Sequence, residues 1–232
     1  MMSHTTKLLL SLSLGAMIAI AFNAEVHAAD KTQEFDIRHK ACLEQIAVDA
    51  EIAYEDAMVW KDDGGGRRAK HCEAMALFAL GHTEEAAYRL EKLAATNLGG
   101  STEMRVDFYA ESSNFWLLSE EPRKAYEVAT AGLKLAKDDV ELRISRARAY
   151  ALLGRYEYAE TDLTSALAFK PLHADALRYR ADSRFNQDDL EGAKTDIERS
   201  LTADPTKVET ALLRGKINEA LRLAELADKG AK

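Results

Sequence analysis

Small and apolar positions recur along the chain at a step of 34 residues, with polar residues between them. The segments 106–139, 140–173 and 174–207 align on one another without gaps. Ala125, Ala159 and Ala193 share one column and Leu133, Leu167 and Leu201 another, while Leu135, Phe169 and Ala203 form a third. A fourth segment, 67–100, joins after a five-residue insertion, with Ala74 over Ser113, Ala147 and Ala181, and Ala86 over the first alanine column. Pro171 and Pro205 punctuate the ends of two consecutive units. Self-similarity at this period predicts an array of helical units, each unable to bury its apolar side alone.

These columns resemble the tetratricopeptide repeat. The fullest copy is 140–173, with Ala147, Tyr150, Gly154, Tyr156, Ala159, Ala166 and Pro171 at the places that family's pattern expects. The resemblance implies an all-α, right-handed superhelical solenoid of antiparallel helix pairs, in which small residues let the paired helices approach while Leu and aromatic side chains fill the gaps. It departs from the pattern at the turn glycine, replaced by Glu120 and Asp188, and at the second-helix alanine, replaced by Gly132 and Ser200. Residues 34–66 read as a degenerate leading hairpin, with Ala41, Ala53 and Trp60 near the same columns and Gly64 to Gly66 breaking the chain after it. Residues 208–228 read as a capping helix, since Leu212, Leu213, Ile217, Leu221, Leu223 and Leu226 fall mainly on one face.

Composition agrees. Among 232 residues there are 40 alanines and 29 leucines against 15 Val and Ile together, a helix-former's usage that disfavours sheet folds. The net charge of −8 without a Lys/Arg cluster disfavours nucleic acid as a partner. At the start, Lys7 precedes an apolar run from Leu8 to Phe22, and Val26-His27-Ala28 closes it with small residues at both ends. This is the layout of a cleavable signal peptide over 1–28, too short in its apolar part to span a bilayer comfortably. The expectation is an exported protein of a bacterial periplasm, with no stable membrane insertion after cleavage.

Only Cys42 and Cys72 are present. The repeat resemblance places both on first helices of neighbouring units, and export places them where disulfides persist. A bridge is the preferred reading, above two free thiols. A metal site is the third, because His39 and His71 stand near the cysteines; His71 and Cys72 are adjacent and diverge by about 100° on a helix, which makes four-ligand geometry awkward. No P-loop, serine-nucleophile, zinc-protease or dinucleotide fingerprint occurs, so the chain is read as non-catalytic and without cofactor.

What remains is surface. In tetratricopeptide arrays the first helix of each unit lines the concave groove. Carried over, those positions are His71, Met75 and Phe78; Asp107, Glu111, Asn114 and Leu117; Glu141, Ile144 and Arg148; and Asp175, Arg178, Tyr179, Asp182 and Phe185. They mix apolar anchors with both charge signs, which suits an extended peptide or a helix. The family's carboxylate clamp is not matched: Asn114 stands at one clamp position, but Ala110, Ser145, Asp175 and Tyr179 occupy others, so an acidic chaperone tail is disfavoured. The expectation is a protein-interaction adaptor of the cell envelope. The rivals are a small-ligand or metal-handling protein using the His/Cys cluster over 39–72, and an enzyme built from groove carboxylates.

Overall fold

The computed structural model describes residues 32–97 and 100–230, and all regular structure in them is helical. The expected signal peptide lies outside the described residues. Eleven helices follow in order: α1 (32–46), α2 (Ala50–Asp62), α3 (Gly66–Ala79), α4 (Thr83–Ala95), α5 (Thr102–Leu118), α6 (Pro122–Leu133), α7 (Val140–Leu152), α8 (Tyr156–Phe169), α9 (Ala174–Phe185), α10 (Leu190–Ala203) and α11 (Val208–Gly230). The chain divides into two compact units, residues up to Ala76 and residues from Leu77.

In the first unit α1 and α2 form the leading hairpin, and Cys42 on α1 is joined to Cys72 on α3 by a disulfide with the Cα atoms 6.3 Å apart. The buried apolar residues there are mostly small: Ala53, Ala57, Ala69, Ala74 and Ala76 around Trp60. Phe35 meets Trp60 edge-on at 6.0 Å, and Arg68 Nε donates to Asp36 at 2.6 Å. Gly65 lies on the indole of Trp60, where a Cβ would come within 2.5 Å of the ring; that contact leaves room for no other residue.

In the second unit the alanine columns perform the packing role that the period implied. Ala125, Ala159 and Ala193 are fully buried, as are Ala147 and Ala181. The helices pair as α5 with α6, α7 with α8 and α9 with α10, and each first helix also packs on the next, α5 on α7, α7 on α9 and α9 on α11. The second helices α6, α8 and α10 make no comparable contact with one another among the described residues. First helices are therefore the closer-packed layer. Gly132, standing where alanine was expected, is closely covered: a Cβ would lie 2.7 Å from Leu142 and 2.9 Å from Tyr109.

Helix ends follow local chemistry. Asp139 accepts from the Leu142 N–H and His173 Nδ1 from the Ala176 N–H, each capping a first helix. The turn between paired helices demands a left-handed residue: Gly81, Glu120, Gly154 and Asp188 have φ of 85°, 59°, 73° and 65°. Glu120 and Asp188 adopt that backbone despite their side chains, which costs about 1–2 kcal/mol each before the flexibility of glycine is counted. Glu120→Gly is expected to stabilise the second unit by about 1 kcal/mol, visible as a higher urea midpoint with unchanged slope. A lowered midpoint would show that the Glu120 side chain contributes more than its backbone costs.

The terminal helix differs from the expected cap. Of the six apolar residues assigned to one face, Leu213 and Ile217 are buried and Leu221 packs partly against them, but Leu212, Leu223 and Leu226 are exposed. With 23 residues, α11 outruns the 12 of α9 and the 14 of α10 beside it, and its outer face has no helix to cover it among the described residues.

Candidate functional site

Because first helices stack on one another, residues one period apart fall side by side on them. The column at 114, 148, 182 and 216 reads Asn114, Arg148, Asp182 and Lys216, one residue from each of α5, α7, α9 and α11. Its members interact. Arg148 Nη1 donates to Asn114 Oδ1 at 2.6 Å, and the Arg148 guanidinium lies 5.1 Å from the centre of the Tyr179 ring. Arg178 stacks on the same ring at 4.1 Å. Two cations thus hold one aromatic side chain between helices, a contact worth about 0.5–1 kcal/mol at an exposed site and more when desolvated.

The carboxylates of the wall differ in how they are satisfied. Burial raises the affinity of Asp175 for a proton, but the hydrogen bond from Lys207 and the charge of Arg178 outweigh it, and the carboxyl lies below its ordinary range. Glu141 is held at about 2, chiefly by a hydrogen bond from His173, against its burial and with help from Lys170. Asp182 behaves oppositely. Burial pushes its carboxyl above the ordinary value, only partly offset by the charges of Arg178 and Lys216.

Among the groove residues, Asn114, Arg148, Asp175, Arg178, Tyr179, Asp182 and Phe185 are half-buried, as is Glu111, while Asp107 and Glu141 are exposed. Tyr179 and Phe185 also pack against core clusters, so each has one apolar side anchored and the other open. Leu117 and Ile144 are not open to a groove: they are 6% and 5% exposed. Both fall one helical position toward the neighbouring helices, where apolar side chains turn inward. Phe78 is half-buried and stacks on Phe115 with ring centres 4.0 Å apart. His71 and Met75 belong to the first unit, with His71 buried and Met75 half-buried.

The His/Cys cluster is closed on itself. His39 Nε2 and His71 Nδ1 are 2.8 Å apart, and both cysteines are consumed by the disulfide. Among the described residues no group of three or more His, Cys, Asp or Glu is placed to hold a metal ion. A cavity of about 320 Å³ beside Cys42 is lined by Arg38, Asp56 and Trp60 among others. No helix of the described residues is long and apolar enough to cross a membrane.

One repeated pair escaped the sequence reading. Arg146 Nε and Nη2 donate to Asp162, both at 2.7 Å, and Arg180 makes the same fork to Asp196, again both at 2.7 Å. The arginines are 34 apart, as are the aspartates, so the pair was visible as two charged columns 16 residues out of phase.

No family model matches the chain. Mouse RNA polymerase II-associated protein 3 is 31% identical over 121 residues, 52% of this chain and 18% of that protein, and the human protein is 30% identical over 115 residues, 50% of this chain and 17% of that protein. The chain spans less than a fifth of the length of these curated relatives. Among solved structures, YrrB, described as a TPR protein with an unusual peptide-binding site, superposes with a TM-score of 0.58 at 16% identity over 73% of this chain and 85% of its own. The described residues therefore have an all-helical tetratricopeptide-type repeat fold in packed antiparallel pairs, and about half of the chain is similar in sequence to a part of RNA polymerase II-associated protein 3.

Proposed function

We propose that this chain is a protein-interaction adaptor whose stacked first helices hold an extended peptide or a helix of a partner. The observation that carries the reading is the bridge across three helices: Arg148 on α7 reaches Asn114 on α5 and the Tyr179 ring on α9. It makes one wall of half-buried polar and aromatic groups, of the mixed kind that reads alternating side chains of a peptide.

The related repeat of Spaghetti (RPAP3) is described as bound to the HSP90 peptide SRMEEVD. In this chain Ala110, Ser145, Asp175 and Tyr179 stand at clamp positions, and Asp175 and Asp182 put carboxylates beside Arg178. A ligand with both charge signs and an apolar anchor fits this wall better than a purely acidic tail. Export to an oxidising envelope compartment is part of the same reading, supported by the Lys7 to Ala28 segment and by the Cys42–Cys72 bridge.

The test is photo-crosslinking from position 179, with position 158 on α8 as the control outside this wall. Partner peptides are expected from 179 and not from 158, and the SRMEEVD peptide is expected not to compete. Competition by that peptide would assign the wall to acidic tails instead.

A further inference from the structure

In the two units before α11, the first helix is covered by its own second helix, α7 by α8 and α9 by α10. Each seam contains the forked ion pair, Arg146 with Asp162 and Arg180 with Asp196. One period further on stands Arg214, on α11. The place of its aspartate is taken by Gly230, at the far end of the same helix. The left-handed turn of Gly154 and Asp188 is also missing, because its place is Arg222 and α11 runs straight through it.

The face that a second helix would cover is consequently open. Arg214 is exposed and makes no hydrogen bond or ion pair among the described residues. Where Ala147 and Ala181 are fully buried, Gly215 has nothing within 4 Å of a Cβ. Where Val140 is 8% exposed, Val208 is 66% exposed. The side of α11 turned away from Gly215 and Val208 is seated, with Thr210, Leu213 and Ile217 buried and Arg214 at their edge.

We propose that this face docks an amphipathic helix of a partner protein, lying antiparallel to α11 and presenting a carboxylate to Arg214. The charge of the occupant is set by the two forks that precede it, because a guanidinium in this position is met each time by one carboxylate through two parallel hydrogen bonds. Gly215 admits the close approach that alanine allows in the earlier seams, and Val208 supplies the apolar end. A second copy of α11 fits less well. Glu219, five residues along α11 from Arg214, is already forked by Arg222 of its own helix at 2.7 and 2.8 Å. The inference is independent of what the wall of α5, α7 and α9 binds.

The probe is a helix-stapled peptide of residues 190–203, the sequence of α10, which already fits a first helix of this chain and carries Asp196. Titrated into the isotope-labelled full chain, it is expected to give saturable amide shifts over residues 208–218. Asp196→Asn in the peptide, or Arg214→Gln in the protein, is expected to weaken binding about tenfold or more. Unchanged circular dichroism of the Arg214→Gln protein would establish that it remains folded. Absence of saturable shifts on α11, or binding indifferent to both substitutions, would overturn the proposal. So would concentration-dependent dimerisation of the chain alone, seen in sedimentation and abolished by Arg214→Gln, because it would give the face to a second copy.

Discussion

Asp196→Ala is expected to destabilise the second unit by about 3–5 kcal/mol. Asp196 is 1% exposed, yet it answers three guanidinium N–H groups at hydrogen-bond distance, two from Arg180 at 2.7 Å and one from Arg184 at 2.9 Å. Removing the carboxylate strands Arg180, itself 8% exposed, in a site where, among the described residues, the remaining acceptor is Thr164 Oγ1 at 3.1 Å. The cost is that of an uncompensated buried charge and exceeds the net worth of the pair. The double replacement Arg180→Met with Asp196→Leu removes both charges together and is expected to recover most of the loss. Asp162→Ala should cost less, because the side chain of its partner Arg146 is 21% exposed and water can replace the carboxylate. Urea unfolding of the four proteins measures the series. A single-mutant loss below about 1 kcal/mol would mean that the pair is solvated and that the 34-residue charge columns do not matter to the fold.

Cys42→Ser with Cys72→Ser is expected to loosen residues 32–76 while leaving the second unit intact. The bridge closes a separation of 30 residues, worth about 3–4 kcal/mol in the chain-entropy account. The described residues of the first unit have little else of that size to rely on, since among them Trp60 is the one large fully buried apolar side chain among mostly alanine. Hydrogen exchange should therefore rise throughout α1 and α2 in the variant and in the reduced native protein, with α5 to α10 protected as before. Equal protection of α1 and α2 with and without the bridge would refute this account of the first unit.

The repeat was legible because its small residues are constrained by backbone approach, and such positions keep their period even when the surface changes. The departures were legible for the same reason: Glu120 and Asp188 stand at the turn position and take the left-handed backbone there. Other features were hidden in the directions of side chains. Register alone placed Leu117 and Ile144 on the first helices, but whether a residue faces the wall or the neighbouring helix depends on a fraction of a turn, and both face inward. The Arg–Asp forks are hidden from columns of small and apolar residues, because their partners lie on two helices and meet only once the hairpin closes. For α11 the period of apolar residues suggests a single buried face, yet Leu212, Leu223 and Leu226 are exposed while Leu213 and Ile217 are buried. The bridging of Arg148 between Asn114 and Tyr179 required the stacking of three first helices, which a single column could suggest but not measure.

Recognition by the wall of α5, α7 and α9 is tested most directly by the yield of photo-crosslinks from position 179 relative to position 158. Both positions are tyrosines, half-buried at 179 and exposed at 158, so simple accessibility favours the control. A partner peptide crosslinked predominantly from 179, with the signal lost on Arg148→Gln while helical content is retained, is the predicted result. Crosslinks of equal or greater yield from 158, unaffected by Arg148→Gln, would contradict it.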